Sequence, residues 1–231
     1  RDSVASRGRG DVYKRQGYDH AVRAAGAKLI EVGFNDIVSG AGVRRTEIWE
    51  YEAAFRESTA GVLYVLGPGS APPLPLVVDV AHEHNLPVLV DAAGELPPRA
   101  NLTEITATGA DLVVFSGGKS IRGPQSSGIL AGRRDLVGSA FVQMMDLDEH
   151  PQLWAPPAEL VNLQRLVGGP PRHGLGRGLK VSKETIIGLL TALELFRSGI
   201  YDSEIDHQHT VLEHIVDELQ GLALSCTIED I

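Results

Sequence analysis

The chain has 231 residues, 43% of them apolar and only 5% aromatic, enough for one large domain, or one domain and part of another, with a mostly aliphatic core. A net charge of −9 disfavours nucleic-acid binding by a basic face. The single cysteine, Cys226, excludes an internal disulfide and fits a reducing, cytoplasmic setting, and no apolar run approaches the roughly 20 residues that span a bilayer, so no membrane partner is expected.

Residues 1–16, RDSVASRGRGDVYKRQ, carry five basic and two acidic side chains and no apolar period. This +3 segment on a chain otherwise at −12 reads as disordered or foreign to the fold. From Gly17 onward, short apolar runs alternate with helical spacing. AKLIEVG (27–33) predicts a strand, and TEIWEYEAAFRES (46–58) a helix capped by Thr46. GVLYVL (61–66) predicts a strand that ends in the loop GPGSAPPLP. LVVDVAHEHN (76–85) predicts a helix, LPVLVD (86–91) a strand, and a short helix follows over 102–108. Strands are then expected at 112–115 and 127–132. Residues 146–180 are rich in Pro and Gly and read as a crossing between domains. SKETIIGLLTALELFRSG (182–199) predicts a helix with a serine cap and a closing glycine, and 203–221 a second helix. LALSCTI (222–228) reads as the first strand of a smaller α/β domain starting near residue 181, cut off early, so the sequence is expected to be an internal fragment of a longer protein.

Strands apolar throughout, with helices between them, imply a mainly parallel sheet covered on both faces, with residues 17–145 forming part of the large domain. Ligands of such sheets bind beyond the carboxyl ends of strands. Asp91 and the stretch Ser116-Gly117-Gly118-Lys119 both fall there.

That lysine needs a reason. GGKS ends like a phosphate-binding loop, but the required earlier glycine is Val113, and Gly123-Pro124 interrupt the helix that should follow. GLGRGL (174–179) has the wrong glycine spacing for a dinucleotide fingerprint and follows no strand. HEH (82–84) lacks the second histidine of a zinc helix, since position 86 is leucine, and reads as a solvated helix face. No Gly-x-Ser-x-Gly elbow is present and no metal is expected. What remains is a lysine that forms a Schiff base. Desolvation at a strand end beside a cationic ring would leave its amine free to attack, while Asp91 pairs with a pyridine nitrogen, which fits pyridoxal 5′-phosphate (PLP).

Three stretches, VLVDAAGELPPRANL (88–102), GADLVVFSGGKSIRGPQSSGILAGRRDLV (109–137) and GRGLKVSKETIIGLLTALE (176–194), together resemble the family related to the selenocysteine synthase SelA, and within it the D-glucosaminate-6-phosphate ammonia-lyase type. The resemblance covers about residues 17–221. It implies a fold type I PLP enzyme of the aspartate-aminotransferase superfamily. By resemblance, Lys119 matches the lysine that bonds PLP, Asp91 the partner of the pyridine nitrogen, Ala93 the small residue under the ring, and Ser116 a phosphate contact. Arg122 and Gln125 match the loop at the substrate entrance, where stabilising the loop is an equal reading. Arg177 and Lys183 match a basic segment bordering the site, able to hold an anionic substrate group or simply to pack.

The resemblance further implies elimination of water and ammonia from a hydroxylated amino acid or amino sugar acid, in a homo-oligomer. The alternatives are selenium transfer on seryl-tRNA and an inactive PLP-fold scaffold. The family's helix N-terminus that grips the cofactor phosphate and its ring-stacking residue are not matched, so this chain alone is expected to bind PLP poorly.

Overall fold

The computed structural model describes residues 2–6, 19–33, 45–145 and 150–228. Six strands form one sheet, β1 (Asp2–Ser6), β2 (Lys28–Val32), β3 (Thr59–Val65), β4 (Val88–Asp91), β5 (Leu112–Ser116) and β6 (Gly128–Gly132), in the order β2-β1-β3-β4-β5-β6. All neighbours run parallel except β6, which pairs antiparallel with β5. The helices are α1 (Asp19–Ala24), α2 (Ile48–Ala54), α3 (Leu74–Glu83), α4 (Asn101–Ala107), α5 (Arg134–Gln143), α6 (Lys183–Ser198) and α7 (Asp202–Glu218).

The core is a row of side chains running across the strands. Tyr64 of β3 is registered with Val90 of β4, and Val90 with Val113 of β5, and all three are at most 1% exposed. Burying an aliphatic side chain of this size contributes about 1.5–3 kcal/mol. Val77 and Ala81 of α3 and Tyr51 of α2 join the same cluster. The alternate strand residues Leu63, Leu89, Leu112 and Val114 are only half-buried. Apolar strands therefore do not mean equal cover on both faces here, because alternating side chains meet different neighbours.

Several expectations change. Asp2–Ser6, read as outside the fold, pair as β1 with β2 and with β3, while residues 7–16 lie outside the described residues. The N-cap of α2 is Glu47, not Thr46. Glu47 and Glu50 form a reciprocal capping box, with Glu47 N–H donating to Glu50 Oε1 at 3.0 Å. α6 packs Ala192 and Phe196 into the large core. Its ends are as read, with Ser182 accepting from Thr185 N–H at 3.1 Å and Gly199 in the left-handed region at φ 79°. Residues 222–228 form no strand, for no neighbouring strand is there to pair with them among the described residues. Residues 150–180 carry three one-turn 3-10 helices.

Residues 82–84 are exposed, as read, and both histidines also have partners. His82 Nε2 lies 2.9 Å from Asp111 Oδ2, and the His84 ring meets Phe55 edge-on at 5.0 Å. Asp111 is buried and also accepts from Val88 N–H at 2.7 Å and Arg133 Nη1 at 2.8 Å. It ties α3, β4 and the start of α5 to the foot of β5.

Candidate active site

The ladder between β4 and β5 sets the site. Asp91 is registered with Val114, Leu66 N–H donates to Asp91 O at 2.9 Å, and Ala92 N–H donates to Val114 O at 2.9 Å. Beyond that point the chain leaves the sheet. The half-buried Asp91 carboxylate, at the carboxyl edge, accepts from Ala93 N–H at 3.1 Å. Residues 92–95 then turn, with Glu95 N–H donating to Ala92 O at 3.1 Å.

Lys119 sits on a loop closed at its neck by the antiparallel pair Ser116 and Gly128 and by Gly117 N–H donating to Ser127 O at 3.0 Å. Arg122 N–H donates to Lys119 O at 2.8 Å, and Arg122 itself takes the left-handed φ of 63°. Ile121 is fully buried, and Ser120 Oγ donates to Leu96 O at 2.5 Å, which fastens the lysine loop to the turn after β4. An exposed amine is thus carried on an anchored backbone. The sequence reading expected Lys119 to be desolvated, but it is exposed.

The turn after β4 approaches the lysine. A β-carbon at Gly94 would stand 3.9 Å from Lys119 Nζ. Lys119 and Asp91 both act by charge on the half-buried Glu95 carboxyl. Burial pushes Glu95 above the usual carboxylate range, the Lys119 ammonium pulls it back, and the Asp91 carboxylate pushes it up again. Sequence reasoning did not single out Glu95. The available signal was a carboxylate four positions after Asp91, within one tight turn.

The other predicted residues disperse. Ser116 is the last residue of β5, half-buried at the rim, and Ala93 is half-buried beside Asp91. Gln125 Nε2 donates to Gly118 O at 3.2 Å, next to Lys119. Arg122 turns to α7, donating two hydrogen bonds to Glu204 (Nη1 to Oε1 at 3.1 Å, Nη2 to Oε2 at 2.6 Å) and covering the Tyr201 ring at 4.3 Å. Arg177 lies on a one-turn helix whose approach is held at the end of α5, where Gly176 N–H donates to Gln143 O at 2.8 Å. Lys183 starts α6 and faces Glu184 at 3.8 Å. The glycines beside Lys119 are needed by the loop itself. A β-carbon at Gly117 would stand 2.2 Å from Ser127 Oγ, and one at Gly118 would stand 2.7 Å from Gln125 Cα.

Beside the loop is a cleft of about 600 Å³, bordered by Pro97, Arg99, Ser120, Arg122, Tyr201 and Glu204. No cluster of three metal-ligating side chains occurs among the described residues, and none of their helices is long and apolar enough to cross a membrane.

The mainly parallel α/β sheet, with its antiparallel edge strand, is the fold of fold type I PLP enzymes over part of their length. The same fold is seen in the structure of D-glucosaminate-6-phosphate ammonia-lyase, with a TM-score of 0.61 and 28% identity over 86% of this chain and 43% of that one. Mouse CSAD shares the fold with a TM-score of 0.53 at 17% identity. A profile of the SelA family, L-seryl-tRNA selenium transferase, matches residues 18–145, more than half of the chain, and the protein belongs to that family. Among curated relatives, D-glucosaminate-6-phosphate ammonia lyase of Salmonella typhimurium is 28% identical over 78% of this chain and 38% of its own length. The 5'-C-glycyluridine monooxygenase-decarboxylase of a Streptomyces species is 29% identical over 91% of this chain and 47% of its own. L-seryl-tRNA(Sec) selenium transferase of Desulfovibrio desulfuricans is 34% identical over 49% of this chain and 25% of its own. The chain thus spans less than half the length of these relatives.

Proposed function

We propose that the full-length protein is a PLP-dependent lyase that eliminates water and ammonia from a hydroxylated amino acid or amino sugar acid, like D-glucosaminate-6-phosphate ammonia lyase. The observation that carries this reading is Asp91 at the end of β4 and Lys119 on the loop after the neighbouring β5, with a β-carbon at Gly94 standing 3.9 Å from Lys119 Nζ. The donor set fits PLP, offering an amine for its aldehyde and a carboxylate for its pyridine nitrogen. Lys119 would hold the cofactor covalently, Asp91 its ring nitrogen, Ala93 its face and Ser116 its phosphate. When bound, PLP supplies the electron sink that acidifies the substrate's α-carbon.

The chain's own residues do the rest. Lys119, with its amine free, would be the base that takes the α-proton at its Nζ. Asp91, steadied by Ala93 N–H, keeps a fixed negative charge at the rim. Gln125, bonded to Gly118 O, holds the lysine loop beside the substrate entrance. Arg177 is proposed to hold an anionic group of the substrate, and Arg122 to fix the far wall through Glu204. The exposed apolar side chains Ile186, Ile187 and Leu190 of α6 support assembly as a homo-oligomer.

The test is PLP titration of the full-length protein, followed by visible absorbance and by ammonia release from a panel of hydroxy amino acids. Wild type is expected to show both signals and Lys119→Ala neither. Retention of both by the variant contradicts the assignment. A second reading, selenium transfer on seryl-tRNA, is favoured by the match to the Desulfovibrio enzyme, and salt-dependent tRNA binding by the full-length protein distinguishes it.

A further inference from the structure

We propose that Glu95 is a further catalytic residue of this site, the acid that protonates the departing hydroxyl while Lys119 takes the α-proton. The inference deepens the elimination proposed above and rests on it. Its geometric basis is the turn that follows β4. The backbone of Glu95 is held from both sides, its N–H by Ala92 O at 3.1 Å and its carbonyl by Asn101 Nδ2 at 2.7 Å. The side chain is therefore delivered to a fixed place. A β-carbon at Gly67, after the end of β3, would stand 4.0 Å from Glu95 Oε1, so the carboxyl spans from the turn after β4 toward the end of β3. It shares the rim with Asp91 and, across Gly94, with the amine of Lys119.

The three side chains sit in different surroundings. Lys119 is exposed and carries the mobile amine. Asp91 is engaged by Ala93 N–H. Glu95 is withdrawn from water, and both burial and the Asp91 charge favour its protonated form, with Lys119 as the opposing cation. A carboxyl raised in this way leans toward the protonated form that a general acid needs.

The step balances without any co-reactant. Lys119 Nζ accepts the proton of the α C–H bond, and that bond's electron pair becomes the new C=C bond. The C–O pair departs with the hydroxyl oxygen, which takes the Glu95 proton and leaves as water. Glu95 is then a carboxylate beside a Lys119 ammonium. Passage of one proton from the ammonium back to the carboxylate restores both groups.

The experiment compares Glu95→Gln with wild type in full-length protein, using serine and β-chloroalanine as probes. Chloride leaves without a proton, so the acid matters only for serine. The expected result is a loss of about 100-fold or more in ammonia release from serine. The loss with β-chloroalanine should stay within about tenfold, and exchange of the α-proton with deuterated water should be retained. Undiminished turnover of serine by Glu95→Gln overturns the inference, as does an equal loss of all three signals, which marks a structural role.

A second measurement needs no cofactor. In a ¹³C-labelled protein, the Glu95 carboxyl is expected to titrate above its ordinary value of 4.5. Its midpoint should move up in Lys119→Ala and down in Asp91→Asn. If wild type neither exchanges nor eliminates with either probe, the elimination reading fails, and the titration then judges Glu95 on its own. A midpoint unmoved by both substitutions overturns the proposed coupling.

Discussion

Arg133 reaches from the start of α5 to Asp111 at the foot of β5, with Nη1 2.8 Å from Oδ1, and the carboxylate it meets is 3% exposed. Burial alone would raise the Asp111 carboxyl. Hydrogen bonds from His82, Arg133 and Val88 N–H outweigh that and hold it below the usual range. A depressed carboxyl stabilises the fold above its unfolded value of about 3.9 and loses that contribution as pH falls through its folded value. Asp111→Asn is expected to cost about 1–3 kcal/mol at pH 7. In urea melts, the gap between the two proteins should narrow below about pH 4. A gap independent of pH would assign the loss to packing alone.

Gly117 gives a prediction about the lysine loop. Its β-carbon position is filled by Ser127 Oγ, Leu189 Cδ1 at 2.8 Å and Ser127 O at 3.0 Å. Gly117→Ala must push α6 or β6 aside, at a cost of about 1–3 kcal/mol. A drop in thermal midpoint, together with weaker PLP loading, is the expected outcome. A variant as stable as wild type would show that the loop yields freely.

Arg122 carries an unfavourable backbone conformation and a double ion pair to Glu204 over the Tyr201 ring. Glu204 holds Arg122 further in its charged form, and Arg122 draws the Glu204 carboxyl down. Both side chains are exposed, so the pair acts as a salt-sensitive clasp on α7. Arg122→Ala is expected to speed amide exchange across 202–218, with the core strands unaffected. Raising the salt concentration should bring wild type toward the variant. Unchanged exchange in α7 would mean that the Arg99–Asp202 pair alone holds that helix.

Much of the frame is legible in the sequence where one physical signal dominates. Strands β3, β4 and β5 are apolar runs bounded by turn residues, and α6 is read from Ser182 to Gly199 because both caps are chemical signatures. β1 is not legible, because DSVAS carries no apolar run and its position is set by pairing on both sides. The reverse holds for 222–228, which look like a strand but have no partner among the described residues. At the site, Lys119 and Asp91 stand out by their place at strand ends. Glu95 does not, because only the turn after β4 brings it to the rim. Arg122 is open to two readings in the sequence, a substrate contact or a brace of the loop, and its bonds to Glu204 of α7 cannot be read from a partner 82 positions away.

The most direct test of the account is chemical trapping on Lys119. Full-length protein loaded with PLP is reduced with borohydride, digested, and its peptides weighed by mass spectrometry. The account predicts the phosphopyridoxyl mass on Lys119 and on no other lysine. A label on a different lysine, or none on a protein that still turns over substrate, would contradict it.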